Sequence, residues 1–202
     1  GQDPSSTTST AEYNLSVGAT ALDAVTTGDA NIAIGHDALS ANTTGSGNLA
    51  IGYGAYDNAD TEGNNMAIGR DALGGSINGG ETNIAIGNYS LDANTSGDLN
   101  IGLGYVALTQ NSTGSSNVGI GNSAMQLNQT GSSNTTLGNN SMKSSLSSSY
   151  NTAVGAEALF DANRTADTDG YNTALGYNAG NTGTNDITTG NKNTLLGAST
   201  AA

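Results

Sequence analysis

The chain has no cysteine and no tryptophan, a single proline (Pro4), and only four Lys+Arg in 202 residues. Each shortage excludes something. Without cysteine there is no disulfide framework and no thiolate metal site. Four basic residues against 17 acidic ones, a net charge of -13, argue against nucleic acid, whose phosphates must be neutralised. They equally disfavour an anionic membrane surface. No apolar run reaches the eighteen or so residues a membrane helix needs, so no membrane insertion is expected of this fragment. Apolar residues make up only 35 %, low for a globular domain. Low hydropathy with high net charge usually reads as disorder, but a disordered tract has no reason to return an aliphatic residue to one slot eleven times.

That return is the main content of the sequence. Asn, three mostly small or aliphatic residues, then Gly is written eleven times, ending at Gly18, Gly35, Gly52, Gly69, Gly87, Gly104, Gly121, Gly138, Gly155, Gly176 and Gly197. The first eight intervals are 17 or 18 residues, the last two 21. Within each unit the asparagine is position 1 and the closing glycine is position 5. Position 1 holds Asn14, Asn31, Asn48, Asn65, Asn83, Asn100, Asn117, Asn134, Asn151, Asn172 and Asn193. Position 4 is always aliphatic, from Val17 and Ile34 to Leu196. Position 2 is aliphatic from Leu15 to Val118, then threonine at Thr135, Thr152, Thr173 and Thr194. Position 3 is small: Ala33, Ala50, Ala67, Ala85, Gly102, Gly119, Ala153 and Ala174 among others.

Side chains alternate along a strand, so positions 2 and 4 share one face and position 3 takes the other. The expectation is aliphatics turned into a core and a small column turned outward against a second copy of the chain. After the glycine comes Ala-Leu or a variant of it. A turn rich in Asn, Ser, Thr and Gly then closes the repeat, as in Asn42-Thr43-Thr44-Gly45. These residues favour turns through positive φ and local side-chain bonds. No 3.6-residue apolar stripe is present. The class is all-β, and the period makes it a solenoid of stacked coils. Stacked coils place equivalent Asn residues about 4.7–4.9 Å apart, which predicts a structural amide ladder rather than a ligand site. Residues 1–12 read as a disordered lead-in or vector-derived scar, and 13–202 as one β-solenoid repeat domain.

Two familiar solenoids do not fit. The triangular hexapeptide helix wants an aliphatic residue every six positions, and the Asn-Thr-Thr-Gly-Ser third has none. Calcium-binding nonapeptide rolls want Gly-Gly-x-Gly-x-Asp, which is missing. Asn31-Ile32-Ala33-Ile34-Gly35-His36-Asp37-Ala38 and its copies do resemble the head repeats of trimeric autotransporter adhesins (YadA-like heads). Asn151 to Leu159 resembles repeats of phage tail fibres. The coil here is longer than adhesin heads commonly have. The resemblance implies a left-handed parallel β-roll of about eleven 17-residue coils, assembled as a parallel homotrimer. It implies a non-catalytic fibre segment displaying recognition loops from a virion or cell surface, extracellular, toward a host receptor such as a glycan. A glycan- or ice-binding solenoid is the alternative, although paired threonines do not recur in every coil.

Little else carries chemistry. The one histidine, His36, sits in a slot otherwise holding Tyr53, Arg70, Asn88, Tyr105, Asn122 and Tyr177, and such variety marks solvent exposure. With no cysteine and one histidine, triads and transition-metal sites are excluded, so no enzyme and no cofactor is expected. Asp57 to Glu62 and Asp167 to Asp169 are acid clusters whose oxygens suit Ca²⁺, but solvated turns explain them better. Candidate recognition residues are Tyr53, Tyr105 and Tyr177, with Arg164 and Lys192 from the two stretched repeats, since longer loops on a rigid scaffold carry function.

Overall fold

The computed structural model describes residues 10–75, 78–161, 170–181 and 191–200. It is all-β, with no helix among the described residues. Eleven three-residue strands form one parallel sheet in chain order: β1 Leu15–Val17, β2 Ile32–Ile34, β3 Leu49–Ile51, β4 Met66–Ile68, β5 Ile84–Ile86, β6 Ile101–Leu103, β7 Val118–Ile120, β8 Thr135–Leu137, β9 Thr152–Val154, β10 Thr173–Leu175 and β11 Thr194–Leu196. Each strand is one coil's copy of positions 2–4, and the register pairs like with like: Ile32 with Leu49, Ala33 with Ala50, Ile34 with Ile51. The result is a β-solenoid of about ten turns.

Hydrogen bonds between coils run through strand and turn alike. The Ile84 N–H donates to Asn100 O and the Gly104 N–H to Ile86 O, both at 2.8 Å. In the turns, the Leu91 N–H donates to Ala107 O at 3.0 Å, and the Thr43 and Thr44 N–H groups converge on Asp60 O at 2.9 and 3.1 Å. Many backbone N–H groups are thus met by the coil before or after, and others by a carbonyl three residues back in their own coil, as Asn42 N–H by Leu39 O at 3.3 Å. That explains how three-residue strands hold together: the ladder extends around most of the coil.

The two faces of the strands lie opposite to the sequence expectation. Ala33, Ala50, Ala67, Ala85, Ala153 and Ala174 are fully buried within the single chain, and Gly102 and Gly119 are buried with them. They cannot touch another copy. The aliphatics at positions 2 and 4 point out. Space inside the coil is the reason. A Cβ placed on Gly102 would lie 2.5 Å from Ser90 Oγ and 3.3 Å from Leu91 Cγ, and one on Gly119 would lie 3.1 Å from Leu108 Cδ1. The interior is already filled by the Leu, Met or Tyr at position 9: Leu39, Tyr56, Leu73, Leu91, Leu108, Met125, Met142 and Leu159, all fully buried. Opposite these the chain places Ala or Gly in eight coils and Thr136 in another, with a large side chain, Leu195, only in the last coil.

The coil turns through repeated left-handed backbone. The residue before each repeat asparagine has positive φ, including Ala30 (57°), Asn64 (60°), Thr82 (58°), Leu99 (59°) and Tyr150 (61°). Left-handed backbone costs an L-residue roughly 1–2 kcal/mol, more for a β-branched one and least for Asn or Gly. Stacking on neighbouring coils holds it in place. Thr82→Asn, which copies Asn64 one coil earlier, is therefore expected to stabilise the fold by up to about 1 kcal/mol. A lower melting temperature for the variant would contradict this.

Candidate functional site

Three features carry the solenoid's distinctive chemistry: the asparagine columns, the corner that follows each repeat's closing glycine, and the outward face of the sheet. Asn31, Asn48, Asn65, Asn83, Asn100, Asn117, Asn134, Asn151 and Asn172 are buried, and Asn193 partly so. From Asn31 to Asn151 each amide joins backbone to backbone. Asn83 Oδ1 accepts the Asn100 N–H at 2.9 Å, while Asn83 Nδ2 donates to Gly97 O at 2.9 Å. One side chain closes its own coil and fastens the next. From Asn134 on, the amides also bond each other: Asn134 Nδ2 to Asn117 Oδ1 at 3.0 Å and Asn193 Nδ2 to Asn172 Oδ1 at 2.9 Å.

A second column went unread in the sequence. Asn42, Asn94, Asn111 and Asn128 are fully buried. Each donates through Nδ2 to the carbonyl of a Gly three residues on, at 2.9–3.0 Å. Asn111 and Asn128 also donate to the preceding member's Oδ1. The readable signal was Asn-x-x-Gly. A Cβ on Gly45 would fall 2.4 Å from Asn42 Oδ1 and 2.2 Å from Glu62 O, so this Asn requires that Gly. Where the Gly is replaced the Asn is too, at Ala59–Glu62 and Ser145–Ser148. The column breaks there, which leaves Asn42 Oδ1 and Asn128 Oδ1 buried with no hydrogen-bond partner.

At the first break Tyr56 fills the interior and its hydroxyl accepts from Asn65 Nδ2 at 2.5 Å. Burial, with Glu62 nearby, pushes its pKa far up. Glu62 takes over the bonding. Its Oε2 accepts from the Asp60 and Thr61 N–H groups at 3.3 and 3.1 Å, and its Oε1 accepts from the Gly79 N–H at 2.9 Å. Burial works to raise the Glu62 pKa, but these bonds outweigh it and hold the carboxyl below its usual value. The acid run Asp57 to Glu62 therefore includes a structural carboxylate. Among the described residues no group of three His, Cys, Asp or Glu is arranged to hold a metal ion. Asp167 to Asp169 lies outside the described residues.

Asp57 and Asp92 behave in the opposite way. Burial raises both pKa values first, and the charge of Asp71 adds to it. With a folded pKa above the unfolded one, each carboxyl costs stability once ionised, and that stability returns as pH falls through the folded pKa. Glu62 is the reverse: its contribution is present above the ordinary carboxylate pKa and is lost as pH falls through its depressed value. Asp57→Asn and Asp92→Asn are expected to raise the melting temperature at pH 7, each by a few tenths to about 1 kcal/mol. The gain should vanish in acid, where the wild type is protonated as well. A variant equally stabilised at both pH values would refute the electrostatic cause.

Of the aromatic candidates, Tyr53 and Tyr105 contact neighbouring side chains, and all three tyrosines remain exposed. Tyr53 stacks on His36 of the coil before at 5.3 Å, and Arg70 of the coil after lies 5.2 Å from its centroid. His36 Nδ1 pairs with Asp37 at 2.7 Å, and Arg70 Nε donates to Asp71 at 3.2 Å. These neighbours tie the Tyr53 ring to the coils before and after it, so it braces the corner while remaining exposed. Tyr105 meets Tyr89 edge-on at 6.3 Å. Tyr177 and Lys192 are exposed and are not brought together with the others. Arg164 lies outside the described residues, as do most of the two lengthened loops. A further stack, Tyr150 on Tyr171 at 4.9 Å, stands just before β9 and β10.

The remaining feature is the outward sheet face. Two columns of side chains run its full length and hold no charged residue. Leu15, Val17, Ile32, Leu103, Leu137, Leu175 and Leu196 are exposed, and most of the others half-buried. Ten strand spacings make the strip about 48 Å long and the columns are about 7 Å apart. Contiguous apolar surface on that scale is rare on monomeric soluble proteins. Comparison with protein-family models, with curated proteins and with solved structures finds no match.

Proposed function

We propose that this chain is a non-catalytic segment of an extracellular homotrimeric fibre, the shaft or head of a phage tail fibre or bacterial surface adhesin. In this reading the coils wind left-handed and three chains share one axis. The chain acts as a rigid spacer of about 50 Å that carries recognition loops, such as the two lengthened ones, away from a particle or cell and toward a surface receptor. One observation carries the reading: the charge-free face along the whole sheet, aliphatic at position 4 throughout and at position 2 from β1 to β7. Burying even half of a Leu or Ile side chain is worth about 1 kcal/mol, and the face offers this on strand after strand. The acidic residues lie off this face, where they keep a long particle soluble. The Asn-x-Ala-Ile-Gly resemblance supports the same arrangement, with the contact surface moved from the small column to positions 2 and 4.

Sedimentation decides it. The expected species has three times the chain mass of 19.9 kDa and no monomer at micromolar concentration. A monodisperse monomer would remove the basis for the fibre.

A further inference from the structure

The outward face changes chemistry part-way along. In the position 2 column, β1 to β7 present Leu, Ile, Met or Val, and β8 to β11 present Thr135, Thr152, Thr173 and Thr194. The position 4 column stays aliphatic to the end. Thr135, Thr173 and Thr194 are exposed and Thr152 is half-buried. None of the four hydroxyls hydrogen-bonds within the described chain. Thr136, which points inward, does: its Oγ1 donates to Val118 O at 3.1 Å. The four outward hydroxyls are therefore left for something outside the chain.

We propose that this threonine run is a register key that sets the orientation and axial alignment of neighbouring copies. The idea rests on copies packing through this face. A uniform aliphatic ladder repeating every 4.7–4.9 Å cannot specify alignment, because a copy slid by a whole number of strands, or turned end for end, loses little more than the overhang. The threonines break that degeneracy. Aligned and parallel, hydroxyl meets hydroxyl, and Thr–Thr pairs hydrogen-bond across the contact. Inverted, the aliphatics of β1 to β4 cover the four hydroxyls, which are then buried unpaired and penalised. A polar residue within an apolar seam commonly fixes register in this way, at some cost in stability.

The absence of cysteine makes the test direct. Ala30→Cys adds one spin label beside β2, off the two columns, and the label-to-label distance in the assembly is read by pulsed electron resonance. Parallel, aligned copies put identical labels at one level and give a single short distance. Inversion separates them along the axis by eight strand spacings, about 38 Å. The labelled variant with Thr135, Thr152, Thr173 and Thr194 all changed to Val is expected to lose this selectivity, with the short-distance fraction falling to roughly half. If that variant fails to fold, Leu15→Thr, Ile32→Thr, Leu49→Thr and Met66→Thr together make the two ends alike in this column and should scramble orientation equally. A long distance in the unaltered face, or one short distance retained in the scrambled variants, overturns the key while leaving the trimer standing. A monomer overturns the trimer itself.

Discussion

Gly104→Ala is expected to abolish the folded state of the coils around it and to collapse the melting transition. Gly104 has φ +143°, a value L side chains rarely adopt. The added Cβ would lie 2.4 Å from Gly121 O and 2.6 Å from Gly121 C. Those are backbone atoms of the next coil, and they cannot swing aside as a side chain can. Moving them means lengthening the bond from the Gly121 N–H to Leu103 O, now 2.8 Å, and then the same bond in each coil beyond. Overlap and dihedral strain together should exceed about 4 kcal/mol, the range reserved for specific backbone lesions. The chain supplies its own control. The same Cβ on Gly197 meets nothing nearer than Thr200 Cγ2 at 3.4 Å, so Gly197→Ala should cost dihedral strain alone. Circular dichroism melts of the two variants would settle it, and equal losses would show that coil-to-coil contact is not the cause.

Asn100→Ala should be nearly as damaging, for a different reason. Asn100 Oδ1 accepts the Asn117 N–H at 3.0 Å and its Nδ2 donates to Gly114 O at 2.8 Å. The residue is fully buried, so water cannot replace either bond. Two orphaned backbone groups at about 1–3 kcal/mol each predict a loss of about 3–5 kcal/mol with the cavity included. Asn100→Asp sharpens the test. It keeps the acceptor for Asn117 but aims an oxygen at Gly114 O, so it should be at least as unstable at neutral pH and partly recover in acid, where the carboxyl can donate. In hydrogen exchange the Asn117 amide should lose protection in Asn100→Ala and retain it in Asn100→Asp. Equal loss of protection in both would mean the acceptor at Oδ1 is not what holds it.

The repeat made most of the architecture readable. Eleven strands fall at positions 2–4 of eleven Asn-to-Gly units, in one parallel sheet, because a single residue type returning to one slot leaves stacking as the only economical arrangement. What period two cannot say is which face turns in. Aliphatic content pointed one way, and interior width decided the other. A coil holding one Leu or Met at position 9 leaves little room opposite, and a small residue fills it in every coil but the last. The sequence did contain the clue. Position 3 is restricted in size, to Ala, Gly, Ser or Thr in ten of its eleven copies, whereas position 2 takes side chains from Thr to Met, and tolerance of that kind marks a surface. The same logic had placed His36 outside. The Tyr53 bracing was hidden because it depends on unlike neighbours, His36 and Arg70, that share a column only once the coils are stacked. Asn42 and its column were hidden among turn residues, where Asn and Gly are too common to stand out singly.

The direction of the hydrogen bonds has a mechanical meaning. Almost all bonds between coils point along the solenoid axis, and each strand pairs only with its sequence neighbours. Tension applied along that axis loads the coils in series, so a lone chain would peel open one coil at a time at low force. Among the described residues, weak links would lie at the two breaks of the second column, where Asn42 Oδ1 and Asn128 Oδ1 are unmatched. In the proposed fibre, seams between copies would run parallel to the pull and be loaded in shear, many contacts at once. Such a tether would gain its tensile strength from association, and one chain by itself would behave as a spool.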